Sequence, residues 1–166
     1  QPDEFIALRD MIHEYNLREI ELWCKTAIDA VFLMDDWGAQ SSLLIDPALW
    51  RDLFKPYYKQ YCDLAKEHGK YIFMHSDGHI KDIYPDLIEL GVNALNSQLF
   101  CMDIDQLAAR YKGKITLWGE VDRQSTLPFE TPEKVREAVM RVREAFDDTG
   151  LIAQCEWGVD VPKENI

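Results

Sequence analysis

Apolar runs and helix-like segments alternate along this chain with unusual regularity, and this order constrains the fold more than any other feature. Five runs are short and almost continuously apolar, as expected for parallel strands that are buried on both faces. They cover residues 28–34, 71–74, 92–95, 115–118 and 151–154. Other segments carry apolar residues three or four positions apart, which predicts helices. These segments cover residues 4–26, 46–68, 81–90, 103–111 and 131–147. Because a helix follows each of the first four strands, it forms a crossover connection and the strands run parallel.

Local signals mark several of these boundaries. Asp46 followed by Pro47 predicts a helix start, with the aspartate as N-cap and the proline in the first turn. Pro56 predicts a kink in that helix, because proline has no amide hydrogen and its ring clashes with the preceding turn. Gly69 and Gly91 predict helix ends, since glycine readily adopts the left-handed conformation that often closes a helix.

Each predicted strand ends in polar or ionisable residues. The pairs are Asp35 and Asp36, His75 and Asp77, Asn96 and Gln98, Glu120 and Asp122, and Cys155 and Glu156. Ligand-binding residues of (β/α)8 barrels gather at this rim, whereas an open doubly wound sheet binds ligands mainly at one switch point. Polar residues at all five ends therefore favour the barrel, although turns after strands are often polar for other reasons. We predict an α/β fold in which residues 1–166 form one domain, the C-terminal portion of a TIM barrel.

The amino-acid composition argues against two classes of binding partner and indicates the cellular compartment. The net charge of −12 argues against nucleic acid and against anionic membrane surfaces, both of which need clustered lysine and arginine. No run approaches the roughly 20 apolar residues of a membrane span. The four cysteines are widely spaced and form no CxxC pair, so we expect reduced thiols and a cytoplasmic location.

Three residues at the predicted rim are candidate zinc ligands. His75 and Asp77 lie two positions apart at the end of one strand, so their side chains can point to the same face. Cys155 ends another strand on the same rim. Imidazole, carboxylate and thiolate all bind zinc, and three protein ligands with one open position are typical of a catalytic zinc site. The alternative is a buried free cysteine near an unrelated polar cluster.

The remaining rim residues are candidates for catalysis and substrate binding. Asp36, Glu120 and Asp122 are predicted acid/base or orienting groups, because clustered carboxylates raise each other's pKa values. Solvated acids at loop starts are the alternative interpretation. The predicted substrate-binding residues are Asp35, Trp37, Gln40, Gln98 and Trp157. No glycine-rich phosphate loop, GxSxG elbow or HExxH helix occurs, which argues against nucleotide binding, serine hydrolysis and zincin proteolysis.

Several motifs in order resemble the uroporphyrinogen decarboxylase superfamily. They are Asp35-Asp36-Trp37-Gly38, Asp46-Pro47-Ala48-Leu49-Trp50, Phe54-Lys55-Pro56-Tyr57-Tyr58-Lys59, His68-Gly69-Lys70, His75-Ser76-Asp77-Gly78, Trp118-Gly119-Glu120-Val121-Asp122 and the closing Asp160-Val161-Pro162-Lys163-Glu164-Asn165-Ile166. The resemblance covers nearly the whole chain. It implies a (β/α)8 barrel of which this chain lacks the first strands and the final helix.

The resemblance also implies one of two chemistries. The decarboxylases of this superfamily remove carboxyl groups from uroporphyrinogen without a metal, and their last strand leads into a Gly-His-Gly motif. This chain has Cys155-Glu156-Trp157-Gly158 there instead. The methyltransferase branch uses zinc held by a His-x-Cys pair and a later Cys. His75 and Cys155 match those positions, and Asp77 stands where the first Cys would be.

These observations lead to one predicted function and two alternatives. We predict zinc-dependent methyl transfer between a small methylated substrate or thiol and a corrinoid protein. The first alternative is a metal-independent decarboxylase of uroporphyrinogen or another polycarboxylate. The second alternative is a non-catalytic binding barrel. Five strands leave two sheet edges unpaired, so we also expect either association with another copy or a missing N-terminal half.

Overall fold

The computed structural model describes residues 2–147 and 150–166. The helices are α1 (Pro2–Cys24), α2 (Pro47–Leu53), α3 (Lys55–Glu67), α4 (Tyr84–Leu90), α5 (Ile104–Tyr111), α6 (Thr126–Phe129) and α7 (Pro132–Phe146). The strands are β1 (Ala30–Met34), β2 (Tyr71–Ser76), β3 (Ala94–Ser97), β4 (Thr116–Gly119) and β5 (Leu151–Ala153). Short 3₁₀ turns span Lys81–Ile83, Leu99–Cys101 and Lys163–Asn165.

All five strands belong to one parallel sheet, in the spatial order β1-β2-β3-β4-β5. Each strand therefore pairs with the next one along the chain, and the order never reverses. A doubly wound sheet reverses its strand order at a switch point, whereas a barrel adds each new strand beside the last. The predicted fold class is confirmed: the sheet is part of a (β/α) barrel.

Most of the predicted boundaries hold, and the exceptions have local causes. Asp46 caps α2 as expected, its side chain accepting hydrogen bonds from the amides of Ala48 and Leu49. The predicted helix 46–68 is two helices, because Pro56 in the first turn of α3 leaves a break at Phe54. Strand β3 begins two residues later than predicted, since the amide of residue 92 closes helix α4 on Leu87. The short helix α6 was not predicted.

The two faces of the sheet have different neighbours. One face packs under the helices and forms the core. Its fully buried side chains include Trp50, Ile72, Met74, Tyr84, Leu87, Leu95, Leu99 and Leu107. Alternate residues point to the opposite face, which is the interior of the barrel. There the rings of Phe32 and Phe73 pack against Trp118, with centroids 5.5 and 6.0 Å apart respectively. These three rings are called the aromatic floor below.

Large apolar side chains remain exposed on α1 and on the outer strand β1. They include Leu8, Met11, Ile12, Tyr15, Leu22, Trp23, Phe32 and Met34. Strand β1 also lies at one end of the sheet, so one of its edges is unpaired. An apolar surface of this extent beside an open strand edge is typical of an interaction surface. Within the described residues, no helix combines the length and the apolar character that crossing a membrane requires.

Candidate metal centre at the strand ends

The side-chain alternation of two neighbouring strands brings three candidate ligands together. His75 ends β2, and its backbone lies opposite Met34 of β1. Asp36 and Asp77 each follow two residues later, so all three side chains lie on the interior side of the sheet. The amide of Asp77 donates a hydrogen bond to Oδ1 of Asp36 at 2.9 Å, which fixes one carboxylate beside the other.

Two glycines hold these strand ends at close range. A Cβ atom on Gly38 would lie 2.5 Å from the carbonyl oxygen of Asp77, and one on Gly78 would lie 2.3 Å from backbone atoms of Gly38. Gly78 also has a φ of +76°, in the region that favours glycine. The loops after β1 and β2 therefore cross in direct backbone contact, and this crossing sets the spacing of Asp36 and Asp77.

The distances within this group suit a single metal ion. Nε2 of His75 lies 3.4 Å from Oδ1 of Asp36 and 3.4 Å from Oδ1 of Asp77. The candidate ligand atoms of the three residues all lie within 4.8 Å of one another. Two ligands at zinc-binding distance and tetrahedral angle are about 3.4 Å apart. The two pairs that include His75 therefore have the spacing of neighbouring ligands in a tetrahedral site.

A buried polar atom supports the same fit. Oδ1 of Asp77 is buried and has no hydrogen-bond partner among the described residues. A buried carboxylate oxygen without a partner is costly, so such an atom calls for a cation or a proton. The other oxygen of Asp77 is occupied, because Arg123 donates to it at 2.5 Å and also pairs with Glu156. Asp77 therefore offers one oxygen to an ion.

Glu120 has a strongly raised pKa at this rim. Burial raises the pKa of Glu120 to about 7, and the charges of Asp77 and Glu156 act in the same direction. Arg123 and His75 oppose the shift. A carboxyl group with a pKa near neutrality can both accept and donate a proton under physiological conditions. Glu120 thus has the property required of a general acid/base.

The structure does not bring Cys155 into the group of candidate metal ligands formed by Asp36, His75 and Asp77. Its thiol packs beside the small apolar cluster of Val121, Leu127 and Val161, and it lines a cavity of about 540 Å³ between α7 and β5. Burial and the charge of Glu120 raise the pKa of this thiol. Alternation explains the placement: Gln154 faces the interior, so the next residue faces the helices. The structure instead supplies Asp36 as the third candidate ligand.

Asp35 and Trp37 also point away from the interior. Oδ2 of Asp35 accepts a hydrogen bond from the hydroxyl of Tyr58 at 2.6 Å, and Nε1 of Trp37 donates to that same hydroxyl at 2.7 Å. The Trp37 ring packs against Trp50 and Phe54. These two residues, predicted to bind substrate, therefore belong to the layer between β1 and helices α2 and α3.

The four other predicted residues have structural partners or lie in exposed segments. Asp122 accepts hydrogen bonds from Ser125 and from the amide of Gln124. Partial burial favours its neutral form, but these bonds outweigh it and hold the pKa of Asp122 below its ordinary value. Gln98 is buried and accepts from the amide of Gly78 at 2.8 Å, which supports the loop crossing. The remaining two, Gln40 and Trp157, are exposed after β1 and β5.

Sequence reasoning assigned no role to two residues of the site, although it placed one of them, Asn96, at the predicted rim. Asn96 contacts His75, and Arg123 pairs with Asp77. Asn96 carries a usable signal, because it lies two positions before Gln98 at the end of a strand that adjoins β2. Arg123 has no comparable signal, since it lies beyond β4 in an irregular segment whose path the sequence pattern does not define.

A comparison with protein families identifies the family of this chain. The model of the family described as uroporphyrinogen decarboxylase (URO-D) matches residues 1–166. The chain belongs to the uroporphyrinogen decarboxylase family. Among solved structures, a methyltransferase from Methanosarcina mazei resembles this family member with a TM-score of 0.72 at 18% sequence identity. The likeness covers 94% of this chain and 44% of that one, so this chain spans less than half of the methyltransferase. No curated protein matches this uroporphyrinogen decarboxylase family chain in sequence.

Proposed function

We propose that this protein is a metal-dependent methyltransferase that moves a methyl group between a small methylated substrate or thiol and a corrinoid protein. The observation that carries the proposal is the geometry around Nε2 of His75, which lies 3.4 Å from one oxygen of each of Asp36 and Asp77. The similarity to a methyltransferase fold supports the same branch of the family.

His75, Asp77 and Asp36 would hold zinc at the barrel rim. The predicted ligand Cys155 would join them only if the segment after β5 turned its thiol toward the interior. Bound zinc would act as a Lewis acid that lowers the pKa of the alcohol or thiol with which it is in contact. An oxygen-rich ligand set makes that ion harder than a thiolate-rich set would, which favours oxygen and nitrogen partners as well as sulfur.

Glu120 would accept and donate the proton that is transferred in this reaction. Transfer of a methyl group to a thiol forms a carbon–sulfur bond, breaks the bond between the methyl group and its donor, and releases the thiol proton. With a pKa of about 7, Glu120 can accept that proton, and it can return it to the leaving group in the reverse direction. Arg123 keeps Asp77 oriented while this happens, because it holds the oxygen that the ion does not use.

The charge at the rim favours this chemistry over decarboxylation of a polycarboxylate. Carboxylates from three strand ends surround Arg123, whose guanidinium is engaged by Asp77 and Glu156. A polyanionic substrate would meet this acidic excess without a free cation among the rim residues described above. A small neutral or cationic substrate would not be repelled. The free thiols of all four cysteines support a reducing compartment, and we propose a cytoplasmic location.

Metal content tests the proposal directly. Protein produced in zinc-replete medium is analysed by plasma mass spectrometry, as wild type, as His75→Ala and as His68→Ala, in which an exposed histidine at the C-terminal end of α3 is removed. We expect one zinc ion per chain in the wild type and in His68→Ala, and none in His75→Ala. Demethylation of methylcobalamin in the presence of a small thiol, followed by absorbance, then tests the transfer. A metal-free wild type would refute the proposal.

A further inference from the structure

We propose that Asn96 is a positioning residue that fixes the tautomer and the direction of His75, so that Nε2 is the nitrogen available to a metal ion. The inference deepens the proposed function and rests on it where metal affinity is concerned. It concerns a residue on β3, the strand beside the one that carries His75.

The orientation of the Asn96 amide is determined by a backbone group. Its Nδ2 atom donates to the carbonyl oxygen of Trp118 at 2.7 Å and to Oε1 of Gln154 at 3.1 Å. A carbonyl oxygen is only an acceptor, so the atom of the Asn96 side chain that faces Trp118 must be the nitrogen. The amide oxygen is thereby directed the other way, toward β2.

This orientation sets the state of the imidazole. Oδ1 of Asn96 lies 2.5 Å from Nδ1 of His75, and an amide oxygen can only accept. Nδ1 must therefore carry the hydrogen, which leaves the lone pair of the neutral ring on Nε2. Nε2 is the atom that faces Asp36 and Asp77. A partner of this kind behind a ligating histidine orients the ring and defines the nitrogen that binds the metal.

The chain of contacts extends across four strands. It links His75 on β2, Asn96 on β3, the backbone of Trp118 on β4 and Gln154 at the end of β5. Asn96 is 8% exposed, so water cannot readily replace these bonds. The interior of the partial barrel is thus used to hold one imidazole in one orientation.

Long-range proton–nitrogen NMR of the histidine rings tests the tautomer without any metal. The spectrum is recorded on metal-free protein at about pH 8.5, roughly two units above the ordinary imidazole pKa. The His75 signals are those missing from His75→Gln. We expect the Nδ1–H form of His75 in the wild type and a shift toward the Nε2–H form in Asn96→Ala. Because the wild-type spectrum alone reports the tautomer, the test stands even if Asn96→Ala fails to fold.

Two further variants separate positioning from structural support. Asn96→Asp keeps an oxygen that accepts from Nδ1, but it places a second oxygen against the carbonyl of Trp118. We expect it to retain the wild-type tautomer while lowering thermal stability. Asn165→Ala is the matched control, since Asn165 is also a buried amide that donates to two carbonyls, those of Leu127 and Glu130. We expect it to lower stability and leave the His75 signals unchanged.

Zinc affinity, measured by competition with a chromophoric chelator, completes the test. Loss of the partner behind a metal-binding histidine typically weakens affinity about 10- to 100-fold, and we expect this for Asn96→Ala but not for Asn165→Ala. The inference is overturned if wild-type His75 is in the Nε2–H form, or if Asn96→Ala changes neither the tautomer nor the affinity. A wild type that binds no zinc but has the expected tautomer would refute the proposed function and leave the positioning role standing.

Discussion

Asp35 and Asp36 are adjacent in the sequence and serve two different regions of the molecule. Asp36 faces the barrel interior, where it contacts Asp77 and His75. Asp35 faces the helices, where it accepts a hydrogen bond from Tyr58. The same step of one residue separates Gln154, which contacts Asn96, from Cys155, which packs outside. Position along the strand, rather than residue type, therefore decides which polar side chains enter the site.

The largest expected effect concerns Glu120 on the interior side. General acid–base catalysis typically contributes about 10²- to 10⁴-fold, so we expect Glu120→Gln to lower the methyl-transfer rate within that range. In the wild type the rate should fall as the pH drops through about 7, because the base must be ionised to accept a proton. Glu120→Gln should lack this dependence. Rate–pH profiles measure the loss of rate and its dependence on pH. If the fall in rate below about pH 7 persists in Glu120→Gln, Glu120 is not the base.

Asp122→Asn serves as the comparison for that experiment. The oxygens of Asp122 accept hydrogen bonds from Ser125 and the amide of Gln124. Loss of this carboxylate should therefore lower stability without shifting the pH at which the methyl-transfer rate falls.

Variants of Asp36 and Asp35 test whether strand position decides which aspartate contributes to zinc affinity. We expect Asp36→Asn to weaken zinc binding by at least about 100-fold, since a direct ligand should cost no less than an outer partner. Asp35→Asn should change affinity by less than about twofold, because its side chain is on the other face of the sheet. Chelator competition measures both constants. Equal losses in the two variants would show that strand position does not separate their roles.

The loop crossing predicts an effect on stability and on binding together. A methyl group on Gly38 would lie 2.5 Å from backbone atoms of the neighbouring loop, and backbone cannot turn aside as a side chain can. We expect Gly38→Ala to cost about 1–3 kcal/mol of unfolding free energy and to weaken zinc binding. Gly69→Ala is the control, because a Cβ there meets no atom within 4 Å, although its φ of +68° carries some strain. Urea denaturation measures the first effect, and unchanged zinc affinity in Gly38→Ala would contradict the second.

The smallest expected effect is at Cys155. Cys155→Ser should leave zinc affinity nearly unchanged, because the thiol lies outside the group formed by Asp36, His75 and Asp77. The absorbance spectrum of the cobalt-substituted protein is an independent test. A thiolate ligand adds an intense charge-transfer band, which is absent when all ligands are oxygen and nitrogen atoms. Loss of zinc in Cys155→Ser, or such a band in the wild type, would restore the ligand set predicted from the sequence.

The fold was predictable because its signals are local and repeated. Apolar runs and helical spacing recur five times, and they identified each strand that the structure describes and its parallel direction. The rim position of His75 and Asp77 followed from the same pattern. The third ligand did not, because His-x-Asp…Cys spacing contains no information about the face on which Cys155 emerges. The break at Phe54 and the role of Arg123 depend on contacts between segments far apart in the chain, which periodicity does not describe.

The aromatic floor sets a limit on how far a bound molecule can penetrate. Phe73 and Trp118 each stand two residues before His75 and Glu120, and they point the same way. Two residues of strand span about 7 Å. A ligand that enters from the loops would therefore meet the candidate metal ligands and Glu120 within one shallow layer, above the tilted and edge-on rings of the aromatic floor. A long substrate would place only its reacting end in this layer, and the rest of it would be recognised above the rim.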